Sequence, residues 1–427
     1  MKFSSTDLNL AQELDEKDPI RNFRDEFIIK EPDLIYMDGN SLGRLPKSSI
    51  KFLHETIEEQ WGRHLIQSWN SNWISTPDIL GSKIAKLIGA RPGEVLVTDS
   101  TSVNIFKLVI AALKLKSDRK KIISDEMNFP SDLYILQGVI DLLGKGHQLT
   151  LLQSIDGINI NETDFSNVLG EDTALVCLTH VAFKSAFMYD MQKITDLAHK
   201  AGAVMLWDLS HSTGAVPVNL NASKVDLAVG CTYKYLNGGP GAPAFLYVRQ
   251  DLQNKIQSPI WGWFADDSPF RFNINFQPAP NISRFKAGTP PMISMNALLP
   301  AVDLLIQAGI DNIRSKSIQQ TEYLIYLFDN LLSKRGFSLG SPRDFNQRGS
   351  HISIRHPEAY RITRAMIEPN STKLRVIPDF RDPDNIRLGI APIYTTYKEI
   401  NLAIRRIRTI IDDEIFKGYN NQRLKIT

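Results

Sequence analysis

The sequence predicts an α/β protein: a large domain with a mostly parallel sheet, plus a smaller α+β C-terminal domain. Three observations predict it. From about residue 78 to 250, short wholly apolar runs alternate with helical stripes, as a sheet covered on both faces requires. Beyond about 300, long amphipathic helices surround the short runs HISIR and NIRLGIAP. The 427 residues exceed one ordinary core and have room for more than one module.

The expected strands are KIIS near 122, LTLL at 149, ALVCLTH at 174, VMLWD at 204, DLAVGCT at 226 and APAFLYV at 242. Between them QKITDLAHKAG repeats Ile194, Leu197, Ala198 and Ala201 at helical spacing, with Gly202 as its stop. Ser100, Thr101 and Ser102 precede a further helix, VNIFKLVIAALKL. After 300 the pattern predicts one long helix, LLPAVDLLIQAG continuing into RSKSIQQTEYLIYLFDNLLSKRG, then HISIR, a helix near 360, NIRLGIAP and an amphipathic last helix over 396–417. The expected units are residues 1–60 as an N-terminal segment joining the small domain and a loop of the site, 61–300 as the large domain, and 301–427 as the small one.

Composition narrows the function classes. Lys+Arg 49 against Asp+Glu 47 leaves +2, with no run of one sign, so neither a nucleic-acid groove nor a polybasic membrane face is expected. Cys177 and Cys231 sit in apolar runs and form neither a zinc spacing nor a disulfide framework. No metal site is expected. MKFSSTDLNLAQELDEKD lacks the apolar core of a signal peptide, and no apolar stretch is long enough to span a bilayer. A cytoplasmic location is expected.

The most informative stretch is GCTYKYLNGGPGAPAFLYV, in which Lys234 follows an apolar strand and precedes Gly238, Gly239 and Gly241. Earlier in the chain, Asp208 ends the strand VMLWD, where open α/β sheets place ligand-binding groups. A strand-end Asp and a Lys on the next strand-loop are the pair that pyridoxal phosphate demands. The lysine forms a Schiff base, and the aspartate keeps the pyridine nitrogen protonated. The hydroxyls of Ser100, Thr101 and Ser102 and the free amides of the helix that follows suit its phosphate. His211 and Tyr233 neighbour the pair, and Phe129 in NFPSD is placed to stack on a ring. Taken alone, the bland readings are a helix cap for the Ser/Thr run, a loop hydrogen bond for Asp208, and core packing for Phe129.

With these residues in view, the chain resembles the kynureninase family nearly end to end, in YMDGNSLG from 36, WGRHLIQSW from 61, LVTDSTSVN from 96, NFPSD from 128, LTHVAF from 178, WDLSHS from 207, CTYKYLNGGPGAP from 231, WGWF from 261, RFKAGTPPMIS from 284 and DFRDPDNIRLGIAPIYTTY from 379. The resemblance implies the aspartate-aminotransferase fold (fold type I, related to the class V aminotransferases), pyridoxal 5'-phosphate as cofactor, and a homodimer whose active site takes residues from both subunits. It carries cofactor contacts to Thr101, Ser102, Phe129, Asp132, Thr179, Asp208, His211, Tyr233, Trp263 and Thr289, with Thr289 assigned to the shared part of the site. The Schiff base falls on Lys234. Catalytic roles fall on Lys234, Asp208 and Tyr233, the last as a late proton donor. Substrate carboxylate binding falls on Arg387, whose guanidinium fork suits it, with Asn40 and Ser41 beside it. The implied reaction splits the Cβ–Cγ bond of kynurenine, or of a related or substituted β-acyl alanine, into an anthranilate-type acid and L-alanine.

The chain departs from the family pattern at Ala182, Phe183, Ser185 and Ala186, and at Ala265 and Asp266. The departures replace polar groups, an asparagine at 182 and a histidine at 266, so a shifted preference is expected, with plain kynurenine secondary to a modified β-acyl alanine. Two other readings compete. One is a pyridoxal-phosphate aminotransferase, decarboxylase or lyase acting on another amino acid; the other is a catalytically silent binding protein.

Overall fold

A computed structural model describes residues 3–369 and 372–422. Its centre is a seven-stranded sheet. In spatial order the strands are Val95–Val97, Phe245–Val248, Leu227–Gly230, Val204–Asp208, Thr173–Thr179, Lys121–Asp125 and Gln148–Leu152. Only Phe245–Val248 runs against its neighbours; the other pairings are parallel. Six of these strands fall on the expected apolar runs. Val95–Val97 does not, because three residues show no periodicity.

Alternate residues of each strand feed two separate cores. Leu175, Cys177, Val204 and Leu206 pack under helices Thr101–Leu115 and Pro130–Leu143. Val176, Leu178, Met205 and Trp207 pack beneath Thr76–Leu87, Met191–Lys200 and Met292–Ala308. Each fully buried side chain of this kind contributes roughly 1.5–3 kcal/mol. With both faces covered, central strands such as Thr173–Thr179 and Val204–Asp208 are buried along their whole length. Cys177 and Cys231 are free and buried.

A third core holds the second sheet, ordered Asp379–Arg381, Asn385–Gly389, His351–Arg355, Ser338–Leu339 and antiparallel throughout. Ile352, Ile354, Ile386 and Leu388 face Tyr323, Leu327, Ile362, Ile400, Ile404 and Ile407. Ala11, Ile35 and Met37 join that core from the N-terminal segment, whose strand Leu34–Tyr36 pairs with Arg375–Ile377. The expected single long helix is two, Met292–Ala308 and Ile310–Leu331, bent by 77°. The break falls at Gly309, whose φ of +77° takes the backbone out of helix geometry. Among the described residues no single helix is long and apolar enough to cross a membrane.

Candidate active site

The parallel strands all end on one edge of the large sheet, and there a cavity opens. Thr179 and Asp208 are the terminal residues of adjacent strands and lie in register. Lys121–Asp125 leads through a turn to Phe129 and Asp132, at the start of helix Pro130–Leu143. Leu227–Gly230 leads to Tyr233 and Lys234. Thr101, Ser102, Phe129, Asp132, Thr179, Asp208, His211, Tyr233 and Lys234 all line this cavity, joined by Ser131, Phe183 and Ser210.

At one end sits the N-terminus of helix Thr101–Leu115. Ser100 caps it, its Oγ accepting from the Val103 amide at 3.4 Å, and the Ser102 and Ser131 hydroxyls lie 2.8 Å apart. First-turn amides and hydroxyls here present donors to an anion. At the other end are two buried carboxyl groups. Asp208 Oδ1 accepts from the Ser210 amide at 2.8 Å and its hydroxyl at 2.6 Å. Asp132 is buried, with Oδ2 lacking a hydrogen-bond partner among the described residues. Burial first, then the Asp208 charge, pushes the Asp132 carboxyl well up; burial likewise raises Asp208, opposed by Ser210 and Lys234. Both raised carboxyls lack enough nearby positive charge to hold them firmly ionised. A cationic ring nitrogen would restore the balance, and a phosphate at the helix N-terminus completes the fit to pyridoxal phosphate.

Lys234 Nζ lies 2.9 Å from His211 Nε2 and 5.7 Å from the centre of the Phe129 ring. Phe129 is half-exposed at the cavity mouth and meets Phe183 edge-on at 5.3 Å. Phe183 is also the link to Arg387. Its ring forms cavity wall, while its carbonyl accepts from Arg387 Nη1 at 2.7 Å. Arg387 is 1% exposed; Nη2 donates to Ser41 Oγ and ion-pairs with Asp379, both at 2.6 Å, with Asp38 at 3.6 Å. Asp379 in turn accepts from Arg381 Nε at 2.7 Å. Asp38 and Asp379 were not singled out in the sequence, although both lie inside the quoted motifs; a lone carboxylate beside a turn or in a short strand carries no periodic signal.

The loop YMDGNSLG is clamped against both halves of this arrangement. The Gly43 amide donates to the Tyr233 carbonyl at 2.8 Å, and a Cβ there would meet the Lys234 carbonyl at 2.3 Å. Ser41 therefore reaches Arg387. Asn40 is fully buried against Gly389, its amide atoms without partners among the described residues, and it does not line the cavity. Trp263 and Thr289 also stand apart from the cavity. Trp263 is 40% exposed among Phe264, Phe270 and Phe272, and Thr289 lines a neighbouring groove that shares Ser100 and Tyr233.

The family departures have local structural explanations. Residues 181–188 form a tight hairpin in which the Ala182 amide donates to the Phe187 carbonyl and the Ala186 amide to the Ala182 carbonyl. Ala186 adopts φ +66°, a left-handed geometry that favours glycine. Ser185 Oγ donates to the Ile158 carbonyl at 2.9 Å. Ala182 is buried in the core rather than at the cavity wall. Asp266 accepts from the Ser268 and Gln277 amides and so shapes its own exposed loop. Neither Ala182 nor Asp266 lines the cavity, whereas Phe183, another of the departures, forms part of its wall.

Solved structures share this fold. A cysteine desulfurase from Thermococcus onnurineus NA1 superposes with a TM-score of 0.74 over 91% of this chain and all of its own, at 18% identity. A cystine C–S lyase variant with glycine covalently linked to its pyridoxal-phosphate cofactor gives 0.75 over 88% and 96%, again at 18% identity. The fold is thus fold type I, the fold of these pyridoxal-phosphate proteins. Sequence relatives are more specific. The kynureninase of Pseudomonas fluorescens is 40% identical over 404 residues, covering 93% of this chain and 94% of its own. That of Burkholderia pseudomallei is 39% identical over 413 residues, 96% of each. Residues 313–407 match the model of the kynureninase C-terminal domain. The chain belongs to the kynureninase family.

Proposed function

We propose that the protein hydrolyses L-kynurenine at the Cβ–Cγ bond, consuming one water and releasing anthranilate and L-alanine, a step of tryptophan catabolism. Its family membership supports this reading, and one geometric observation carries it: Phe183 joins a lysine-bearing cavity to a buried arginine through its ring on one side and its carbonyl on the other. An α-amino acid is thereby offered an amine-reactive end and a carboxylate-binding end at once.

On this reading Arg387 and Ser41 take the α-carboxylate, while Asp379 keeps its contact with Arg381 and gives up its place on Nη2. Bound pyridoxal phosphate supplies an electron sink for the pair released at Cα. Lys234 Nζ would hold the cofactor and, once the substrate amine has displaced it there, would take up the Cα proton as a free amine. Asp208 would hold the proton on the ring nitrogen, and the donors at Thr101 and Ser102 would take the phosphate. Burial pushes the Tyr233 hydroxyl up, with Cys231 adding to the effect, so it keeps its proton and can donate it to Cβ after cleavage.

A homodimer is part of the proposal. Trp261, Trp263, Phe270, Phe272 and Ile274 are exposed together on residues 261–274, and Phe264 beneath them meets Trp69, in a segment that exposes Leu65 and Ile66. An apolar patch of this kind is characteristic of an interface, and it includes Trp263, one of the two expected cofactor contacts found outside the cavity. We also infer a cytoplasmic location, which the free buried thiols suit.

The test is product analysis with purified holoenzyme and kynurenine. Anthranilate and alanine in equal amounts are expected, and none from Lys234→Ala. Amino-group transfer to a keto acid without anthranilate would overturn the reading, and sedimentation at monomer mass would overturn the dimer.

A further inference from the structure

His351 is fully buried, and neither ring nitrogen has a hydrogen-bond partner of good geometry among the described residues. Such a group in a folded core is costly unless something uses it. It stands opposite Gly389 in the second sheet, on the face that also carries Ser353 and Arg387. Its ring centre is 5.5 Å from that of His211, at a tilt of 56°. That separation leaves facing ring nitrogens within reach of one hydrogen bond after a small rotation. His211 is buried too, with Nε2 on Lys234 and Nδ1 unpartnered. The backbone of Phe183 and Ala182 also lies within hydrogen-bonding reach of the His351 ring, and the Phe183 carbonyl already accepts from Arg387.

We propose that His351 is a positioning residue: it accepts a hydrogen bond from His211 Nδ1, and so fixes His211 with an unprotonated Nε2 facing the Lys234 amine. Donation then runs one way, from Lys234 Nζ to His211, from His211 to His351, and from His351 to the hairpin carbonyl that also holds Arg387. The amine end and the carboxylate end of the site are thereby tied together. The charged and titratable groups facing the two rings are Lys234, Arg387 and Arg381. Burial, reinforced by Lys234 and Arg387, pushes both imidazoles down and keeps them neutral, as a one-way chain requires. With His351 gone, His211 is free to turn an N–H toward Lys234, which disfavours the ammonium form of the lysine.

The inference rests on Lys234 being the amine that carries the cofactor, which the Lys234→Ala product analysis tests separately. In the holoenzyme, His351→Leu should lower kcat at least fivefold while KM for kynurenine stays within twofold. The acid limb of its kcat profile should move to lower pH by about half a unit. His351→Gln, which keeps a donor and an acceptor, should restore most of both. A purely structural role would leave the limb in place, and a folded Leu variant with an unmoved limb overturns the proposal. A second measurement needs no variant. Nitrogen-15 histidine spectra of the wild-type holoenzyme should report His211 protonated on Nδ1, and protonation on Nε2 instead overturns the proposal even if His351→Leu does not fold.

Discussion

The two sheets bury their faces in opposite ways. In the seven-stranded sheet both faces are apolar, so Thr173–Thr179 sends Leu175 and Cys177 to one core and Val176 and Leu178 to the other. In the four-stranded sheet one face is apolar, and the other carries His351, Ser353, Asp379, Asn385 and Arg387, every one of them buried. An ordinary antiparallel sheet turns its polar face to water. Burying such a face is costly unless each group finds a partner, and here several do: Ser353 Oγ donates to Asn385 Oδ1 at 2.7 Å, and Arg387 pairs with Asp379. The comparison teaches where function resides. The large sheet supplies stability and an edge to build on, while the small sheet turns a charged face toward that edge.

Breaking the large sheet should therefore lower stability and spare specificity. Leu178→Ala removes a fully buried side chain one residue before Thr179, and should cost about 2–5 kcal/mol in unfolding free energy. Chemical denaturation measures it. The folded fraction should keep its KM, and a raised KM at full occupancy of the folded state would blur the distinction between the sheets.

Breaking the polar face should do the reverse. Arg387→Lys replaces a fork that reaches Phe183, Ser41 and Asp379 with a single ammonium. KM for kynurenine should rise about 10- to 100-fold, the loss of one charge-assisted bond, with a smaller fall in kcat. Steady-state kinetics decides, and an unchanged KM would assign the substrate carboxylate elsewhere.

The same contrast explains what could be read from the sequence. Strands buried on both faces announce themselves as apolar runs, which is why six of seven central strands were legible and the three-residue Val95–Val97 was not. Lys234 and Asp208 were legible because each follows such a run, and register then brings Asp208 beside Thr179. The polar partners were harder to find. Ser210 holds Asp208 through the two-residue spacing of an Asx turn, a signal too common to single out, while Asp379 holds Arg387 across neighbouring strands, where no spacing rule applies. His351 left a trace in the alternation of HISIR, but alternation alone reads as a solvated face, and only the packing of that face against the cavity side reveals a buried one. Trp263 and Thr289 were legible through the family pattern alone, and one chain does not bring them to the cavity.

The smallest expected effect lies at the edge of the polar face and depends on pH. Burial, and next the Asp379 charge, pushes the Asp38 carboxyl up to about 6, while Arg387 at 3.6 Å pulls it down. Above that value Asp38 is ionised and competes with an arriving substrate carboxylate for Arg387. Below it Asp38 is neutral and the competition ends. KM for kynurenine should therefore fall as pH drops through about 6, by up to about fivefold, the effect of one like charge worth about 1 kcal/mol. Stability follows the same sign. A carboxyl raised in the folded state contributes stability that is fully present below its ordinary value of about 4 and is lost as pH rises through about 6. Asp38→Asn should keep the low KM at pH 7 and flatten its change between pH 5 and 7, because an amide there neither titrates nor repels. KM measured across that range in both proteins separates Asp38 from every other titrating group. A slope that survives in Asp38→Asn would move the effect to another acid, with Asp379, on the other side of the same guanidinium, the next to replace.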